Sequence, residues 1–184
     1  MSGARGASHR PVSESVAFGS VPTELGDILV AVTELGLAAT AFHDSPAIRD
    51  RIAQRLGLPA VDDPDRTDPP LAEITAYFAG TLREFTTRLD WRQTAVTRRL
   101  VLSTLHAKVP YGEVVTYGEL ARLSGTSVPA RGIGSIMASN HIPIVVPCHR
   151  VVAGDGLGGF SGGTGLDSKR HLLTLEGHLP PTLF

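Results

Sequence analysis

The sequence predicts an α/β protein in two parts. A small N-terminal sheet-and-helix domain is followed by a mostly helical C-terminal domain, which holds a helix-turn-helix and a short strand bearing the cysteine. Three observations lead there. Early in the chain, short β-branched or apolar segments are broken by turn residues. From residue 94 onward, helical spacing and capping signals follow one another closely. The length of 184 residues, 42% of them hydrophobic, suits one ordinary domain or two small ones with enough apolar side chain to bury a core.

Residues 1–13 are polar and Gly/Ser-rich, with Arg5 and Arg10 but no apolar block of signal-peptide length, and read as a disordered tail. The N-terminal domain is expected over 14–90. Residues 15–18, 26–32 and 36–42 read as strands of a small antiparallel sheet, separated by Pro22, Thr23, Glu34 and Leu35. Ser45 is placed to cap a helix that starts at Pro46 and runs to Leu56, with Gly57 ending it. Residues 59–70 carry Asp62, Asp63, Asp65 and Asp68 among four prolines. They read as a solvated acidic loop and not a metal cage, because proline denies the carboxylates a convergent backbone. Leu71, Ile74, Tyr77 and Phe78 recur at helical spacing across 71–85. The second domain is expected over 91–184.

There, Val96, Leu100, Leu102 and Leu105 outline an amphipathic helix over 94–108, stopped by Pro110, Tyr111 and Gly112. Thr116 and Glu119 have the spacing of a capping box, which starts a short helix ending at Leu123. After a turn at Ser124, Gly125 and Thr126, Ser127 can cap a second helix that has Pro129 in its first turn and runs to Ser139. Two short helices across a glycine turn form a helix-turn-helix candidate. On the second helix Ile133, Ile136, Met137 and Asn140 share the stripe that should face the protein. Ala130, Arg131, Gly134 and Ala138 share the other, whose small side chains suit either a DNA groove or close helix packing.

Residues 142–146 read as a buried strand ending in Pro147-Cys148-His149-Arg150. Cys148 is the only cysteine, so no internal disulfide and no zinc site of several thiolates is available. An isolated cysteine is as readily a small buried hydrophobe as a nucleophile. In an extended segment Cys148 and His149 point to opposite sides, so a hydrogen bond between them needs a bend or an intervening water. The glycine-rich stretch 156–163 lacks the Lys-Ser/Thr of a nucleotide loop and reads as a flexible lid. Residues 167–177 read as a terminal helix closed by Gly177.

Charge narrows the function. With 17 Lys+Arg against 18 Asp+Glu the chain is no polybasic binder. Residues 1–90 balance at -5 and residues 91–184 at +4, so the rear half is the side to meet a polyanion, unless the imbalance is only a solvated surface. The longest apolar runs, 35–42 and 142–146, fall short of the roughly 20 residues that cross a bilayer. A cytoplasmic protein is expected.

Three stretches carry a family resemblance: Tyr111-Gly112-Glu113-Val114-Val115-Thr116-Tyr117-Gly118-Glu119-Leu120-Ala121, then Arg131-Gly132-Ile133-Gly134, then Asn140 with Ile142-Pro143-Ile144-Val145-Val146-Pro147-Cys148-His149-Arg150-Val151. Together they resemble O6-alkylguanine-DNA alkyltransferase, the methylated-DNA–protein-cysteine S-methyltransferase family. The match is strong over 111–178 and looser in front, where Ala76-Tyr77-Phe78-Ala79-Gly80 resembles the family's tyrosine-phenylalanine-glycine segment. The resemblance implies a DNA repair protein that flips O6-alkylguanine, and O4-alkylthymine, out of duplex DNA and transfers the alkyl group irreversibly to Cys148, once per molecule. It implies His149 as a base acting through a water, Glu176 holding the imidazole, Asn140 tying down the turn, and Tyr117 acting on the departing guanine and its 3′ phosphate. It places Arg131 in the gap left by the flipped base, with Ala130, Gly134 and Ala138 fitting the minor groove. Met137, Val151, Phe160 and Ser161 line the base pocket in this reading. No metal, nucleotide or methyl-donor cofactor is implied, and the protein is expected to meet double-stranded DNA as a monomer.

The chain departs from the family pattern at Ala95-Val96-Thr97 and Val101-Leu102, where a phenylalanine-glutamine pair and a tryptophan are usual. It also departs at His141, Gly132 and Phe160, where proline, alanine and often tyrosine stand. Two rival readings use the same helices. One is a non-enzymatic alkyltransferase-like lesion binder, a type that lacks the thiol; the other is a helix-turn-helix regulator reading the major groove.

Overall fold

The structure is a computed structural model and describes residues 14–181. The tail expected over 1–13 lies outside the described residues. Strands β1 (Val16–Thr23), β2 (Gly26–Thr33) and β3 (Gly36–Ala41) form an antiparallel meander, and helix α1 (Pro46–Leu56) follows. The Ser45 side chain accepts the Ile48 N–H, and Gly57 closes α1 in the left-handed conformation, as the sequence predicts. β1 continues through Pro22 and Thr23, which the sequence marked as a break. Its outer edge is paired only at Val16 and Ala17, so Pro22 lies on an open edge that tolerates a missing N–H.

The acidic stretch 59–70 is corrected from loop to ordered structure. Strand β4 (Ala60–Val61) pairs parallel with β1, giving the sheet order β3-β2-β1-β4, and helix α2 (Pro64–Phe78) starts within the stretch. Pro64 is harmless in the first turn, whereas Pro69 and Pro70 each remove an intrahelical hydrogen bond. Tertiary contacts outweigh that loss. Thr67, Pro70, Ile74 and Tyr77 are buried, and Arg66 bridges Asp63, Glu34 and the Ser15 hydroxyl. α2 also ends sooner than predicted, at Phe78, where Gly80 at φ +72° turns the chain and Ala76 O accepts the Thr81 and Leu82 N–H groups. The irregular segment beyond is pinned by the Glu73 carboxylate, which accepts the backbone N–H and hydroxyl of both Thr86 and Thr87.

Helix α3 (Val96–Lys108) buries Val101, Leu102 and Leu105, with Val109 beyond them on the same stripe. The predicted face is rotated: Val96 is 76% exposed and Leu100 half exposed. Strand β5 (Val115–Thr116), α4 (Tyr117–Leu123) and α5 (Ala130–Ala138) follow. Both halves of the capping box are made, the Thr116 hydroxyl accepting the Glu119 N–H and the Glu119 carboxylate accepting the Thr116 N–H. Pro129, not Ser127, precedes α5, because the residue before a proline is held extended and pushes the start later.

Residues 142–146 are a series of turns and not a strand, so Cys148 is not strand-borne. It opens a 3-10 turn, Cys148–Arg150, one turn ahead of β6 (Val151–Val152), which pairs parallel with β5. Pro143 and Pro147 withhold N–H groups, and Asn140 binds the loop back on itself. Ile144 takes φ +74°, a strained value for a β-branched residue. Helix α6 (Leu166–Leu175) ends the fold.

The main core spans both halves. Ile28, Val30, Ile74 and Tyr77 from the front pack in one cluster with Leu105, Leu120, Ile133, Val146 and Leu172 from the rear. A smaller cluster, including Leu29, Ile52 and Leu56, lies under α1 on the other sheet face. β2 is therefore covered on both sides, which explains its continuous apolar run.

Candidate active site

Cys148 is 6% exposed and borders a cavity of about 390 Å³. Tyr117, Gly134, Met137, Ala138, Phe160 and Ser161, all singled out in the sequence, line it with Gly159. Asn140 fixes the approach, its Nδ2 donating to Val146 O at 2.8 Å and its Oδ1 accepting the Ile142 N–H at 3.0 Å. The Cys148 N–H bonds back to Val146 O at 2.8 Å. Burial pushes the thiol's pKa up. A hydrogen bond from Asn140, the Lys169 charge and the N–H groups of Cys148 and His149 pull the other way by stabilising a thiolate.

His149 is fully buried, and its Nε2 lies 2.8 Å from Glu176 Oε1. Glu176 sits just past α6 and accepts four further hydrogen bonds. Arg150 Nε donates to Oε2 at 2.8 Å and Arg150 Nη2 to Oε1 at 2.9 Å, Tyr77 OH donates to Oε1 at 2.7 Å, and the Gly112 N–H to Oε2 at 3.2 Å. Burial alone would raise the carboxyl's pKa; the hydrogen bonds and charges of His149 and Arg150 overcome it and hold Glu176 well below the ordinary carboxylate range. An ionised carboxylate only accepts, so Nε2 carries the imidazole proton and Nδ1 offers a lone pair. That Nδ1 is buried without a hydrogen-bond partner. Burial lowers the His149 pKa, with Glu176 partly compensating. The imidazole is thus a neutral base.

Several site residues escaped the sequence reading. Tyr77 was seen only as part of a helical stripe, yet it carries the N-terminal half into the Glu176 cluster. Burial, then Glu176, drives its phenol pKa far up, so it stays a donor. Lys169 is fully buried, donating to Val151 O at 2.6 Å and Gly159 O at 3.1 Å, and burial brings its pKa down to about 8. The signal was legible, since Lys169, Leu172, Leu173 and Glu176 share one side of α6. The Val151 carbonyl, assigned to a substrate amine, already accepts from Lys169, leaving it one lone pair.

The outer residues of α5 stand apart from the thiol. Ala130, Arg131 and Ala138 are exposed and Gly134 half-buried. The lid is held from three sides: Ser161 Oγ reaches Ala138 O at 3.4 Å, Phe160 meets the Phe42 ring edge-on at 6.0 Å, and Lys169 ties Gly159. Gly158, at φ +68°, packs so closely that a Cβ would lie 2.8 Å from the Tyr117 hydroxyl. Gly132 has a local reason too, because a Cβ there would meet Val128 Cγ1 at 2.6 Å. Half-buried His141 gives its carbonyl to the Thr40 N–H, and burial together with Arg55 and Arg98 lowers its pKa to about 4. Val101 and Leu102, at another departure, simply fill the core.

A buried thiol whose neighbouring imidazole is held by a carboxylate is the apparatus of a cysteine group-transfer protein, here mounted beside helices of DNA-binding type. The comparisons give that class a family. Residues 16–91 match the ribonuclease-like domain of 6-O-methylguanine DNA methyltransferase, and residues 97–178 match its DNA binding domain. The methylated-DNA–protein-cysteine methyltransferase of Mycobacterium bovis is 41% identical over 158 residues, 82% of this chain and 93% of its own. The rat protein of that name is 33% identical over 165 residues, 83% of this chain and 78% of its own. Among solved structures, Mycobacterium tuberculosis O6-methylguanine methyltransferase superposes with a TM-score of 0.71 at 31% identity, over 91% of this chain and 96% of that one. The protein of that organism in complex with DNA gives 0.73 at 33% identity, over 88% and 92%. The chain belongs to the O6-methylguanine DNA methyltransferase family, and it is a DNA-repair methyltransferase of the methylated-DNA–protein-cysteine type. Among the described residues no helix is long and apolar enough to cross a membrane.

Proposed function

We propose that this protein takes alkyl groups from O6-alkylguanine, and from O4-alkylthymine, in double-stranded DNA onto Cys148, one per molecule. One observation carries the reading. The thiol, Tyr117 and the small-residue face of α5 border a single cavity, so a base swung out of a duplex lying on α5 enters directly beside the sulfur. Extrusion costs a few kcal/mol, less for a lesion with weakened pairing. Arg131, exposed at the start of α5, fills the vacated place in the stack, while Ala130, Gly134 and Ala138 keep that helix narrow enough for the minor groove.

His149 takes the thiol proton through a water at Nδ1, Glu176 stabilises the imidazolium that forms, and Asn140 holds the turn that aims the sulfur. Tyr117 assists the departing guanine. Met137, Val151, Phe160 and Ser161 hold the base. The division of labour falls near residue 90, with 91–184 meeting DNA and 14–90 completing the Glu176 cluster. Binding is largely sequence-independent and therefore weakens with salt. The protein acts as a monomer in the cytoplasm, with the lesion itself as alkyl donor.

Incubation with a duplex containing O6-methylguanine, followed by intact mass measurement, tests this. A gain of about 14 Da, absent in Cys148→Ala, is expected for thioether formation. Tight lesion binding with no mass gain would identify a lesion-flagging protein instead, and sequence-specific binding of undamaged DNA would identify a regulator.

A further inference from the structure

Cys148 opens onto a second cavity. It measures about 640 Å³ and is shared between the two halves, with Leu25, Ala41, Phe42, His43, Ile48 and Arg51 as its N-terminal wall. Met137, Ala138, Phe160 and Ser161 border both cavities, so the two meet at the sulfur. Each volume lies within the range of about 300–1,000 Å³ typical of small-molecule sites.

The transfer chemistry uses such a layout. Displacement at carbon keeps sulfur, carbon and departing O6 in line, which points the carbon's remaining substituents sideways. A methyl group has only hydrogens there. A longer or aromatic substituent needs lateral room at the sulfur while the base occupies the first cavity. We infer that the second cavity receives the body of extended, apolar O6-substituents of benzyl size, and that its N-terminal wall sets which alkyl groups are accepted. This rests on the alkyl-transfer reading above.

The wall suits that cargo. Phe42 and Phe160 meet edge-on, and Leu25, Ala41, Ile48 and Pro143 continue the apolar lining, while His43 and Arg51 are exposed at the rim. The lid is shaped to leave the wall intact. At Gly162 a Cβ would stand 2.5 Å from the Phe42 ring and 2.8 Å from the Phe160 ring, so only glycine lets the lid run past this pair. The balance of the step does not depend on the substituent. The S–H proton leaves the thiol, an S–C bond forms, the C–O6 bond breaks with its electron pair passing to guanine, and guanine takes up one proton.

Single-turnover rates on duplexes carrying O6-methylguanine or O6-benzylguanine, read by intact mass, test the inference. The wild-type chain should form both adducts. His43→Trp and Leu25→Trp, which fill the cavity from two sides, should each lower the benzyl-to-methyl rate ratio at least tenfold, and the methyl rate confirms that each variant is folded. An unchanged ratio in both variants, or a wild-type chain that takes methyl but not benzyl, overturns the inference and leaves alkyl transfer standing. A wild-type chain that takes neither group removes the repair reading and this inference together.

Discussion

Replacing Glu176 with Gln keeps the side chain's size and removes its charge. The carboxylate accepts from His149, Tyr77, Gly112 and twice from Arg150. Whichever way the amide turns, its NH2 faces at least two of those donors, and the buried Arg150 guanidinium loses its counter-charge. Breaking a buried ion pair from one side costs about 3–5 kcal/mol, and each kcal/mol moves the melting midpoint of a chain this size by about 2–4 °C, so Glu176→Gln should melt about 6–20 °C lower. Alkyl transfer should also slow by about 10²-fold or more, since the imidazole loses the anion that supports it as a base. The pH dependence has a definite sign. Folding lowers the Glu176 pKa below its ordinary value of 4.5, so its contribution is fully present above that pH and is lost as pH falls through the folded value. The stability gap between wild type and variant should therefore be constant near neutrality and shrink in acid. Thermal denaturation from pH 7 down to about pH 3, with mass-detected transfer at pH 7, measures both. A variant melting within about 3 °C of wild type, or a gap that stays flat in acid, would refute the assignment of Glu176 as the charged hub.

Two more perturbations separate electrostatics from scaffold. Lys169→Met removes a positive charge beside Cys148, so the pH midpoint for alkylation of the thiol by iodoacetamide should move upward; an unmoved midpoint would deny that charge a role at the sulfur. The wild-type lysine titrates near 8 when folded against an ordinary 10.5, so wild type should gain stability relative to the Met variant as pH rises across that interval. Thr116→Ala removes half of the capping box at α4, at about 1 kcal/mol or a fall of about 2–4 °C, and calorimetry that showed no change would mean the cap contributes nothing here.

Local chemistry was legible wherever a residue's own conformational preference decided the outcome. Ser45, Pro46 and Gly57 bounded α1, and Thr116 with Glu119 started α4, because caps act within one turn of the chain. Prolines misled where distant partners overruled them. Residues 64–70 are helical because Thr67 and Pro70 are buried and Arg66 finds partners in Asp63, Glu34 and Ser15. The run from Ile142 to Val146 had the composition of a strand, but the Asn140 side chain and two flanking prolines leave no ladder to join. The cavity residues Tyr117, Met137, Phe160 and Ser161 came from the family resemblance, and the structure gathers them around Cys148. Tyr77 and Lys169 were missed for a common reason: each sits on an apolar stripe that periodicity assigns to packing, and only the three-dimensional arrangement shows a carboxylate or a carbonyl waiting at its tip.

The hydroxyl of Tyr77 ties the front of the molecule to its chemistry. A gene rearrangement that grafted only the rear segment onto a new partner would sever that tie, deprive Glu176 of one of its donors and lay bare the apolar surface that Ile28, Val30 and Ile74 now cover. Neither half is a detachable cassette. Changes in one must be answered in the other for the pair to be inherited as a working unit.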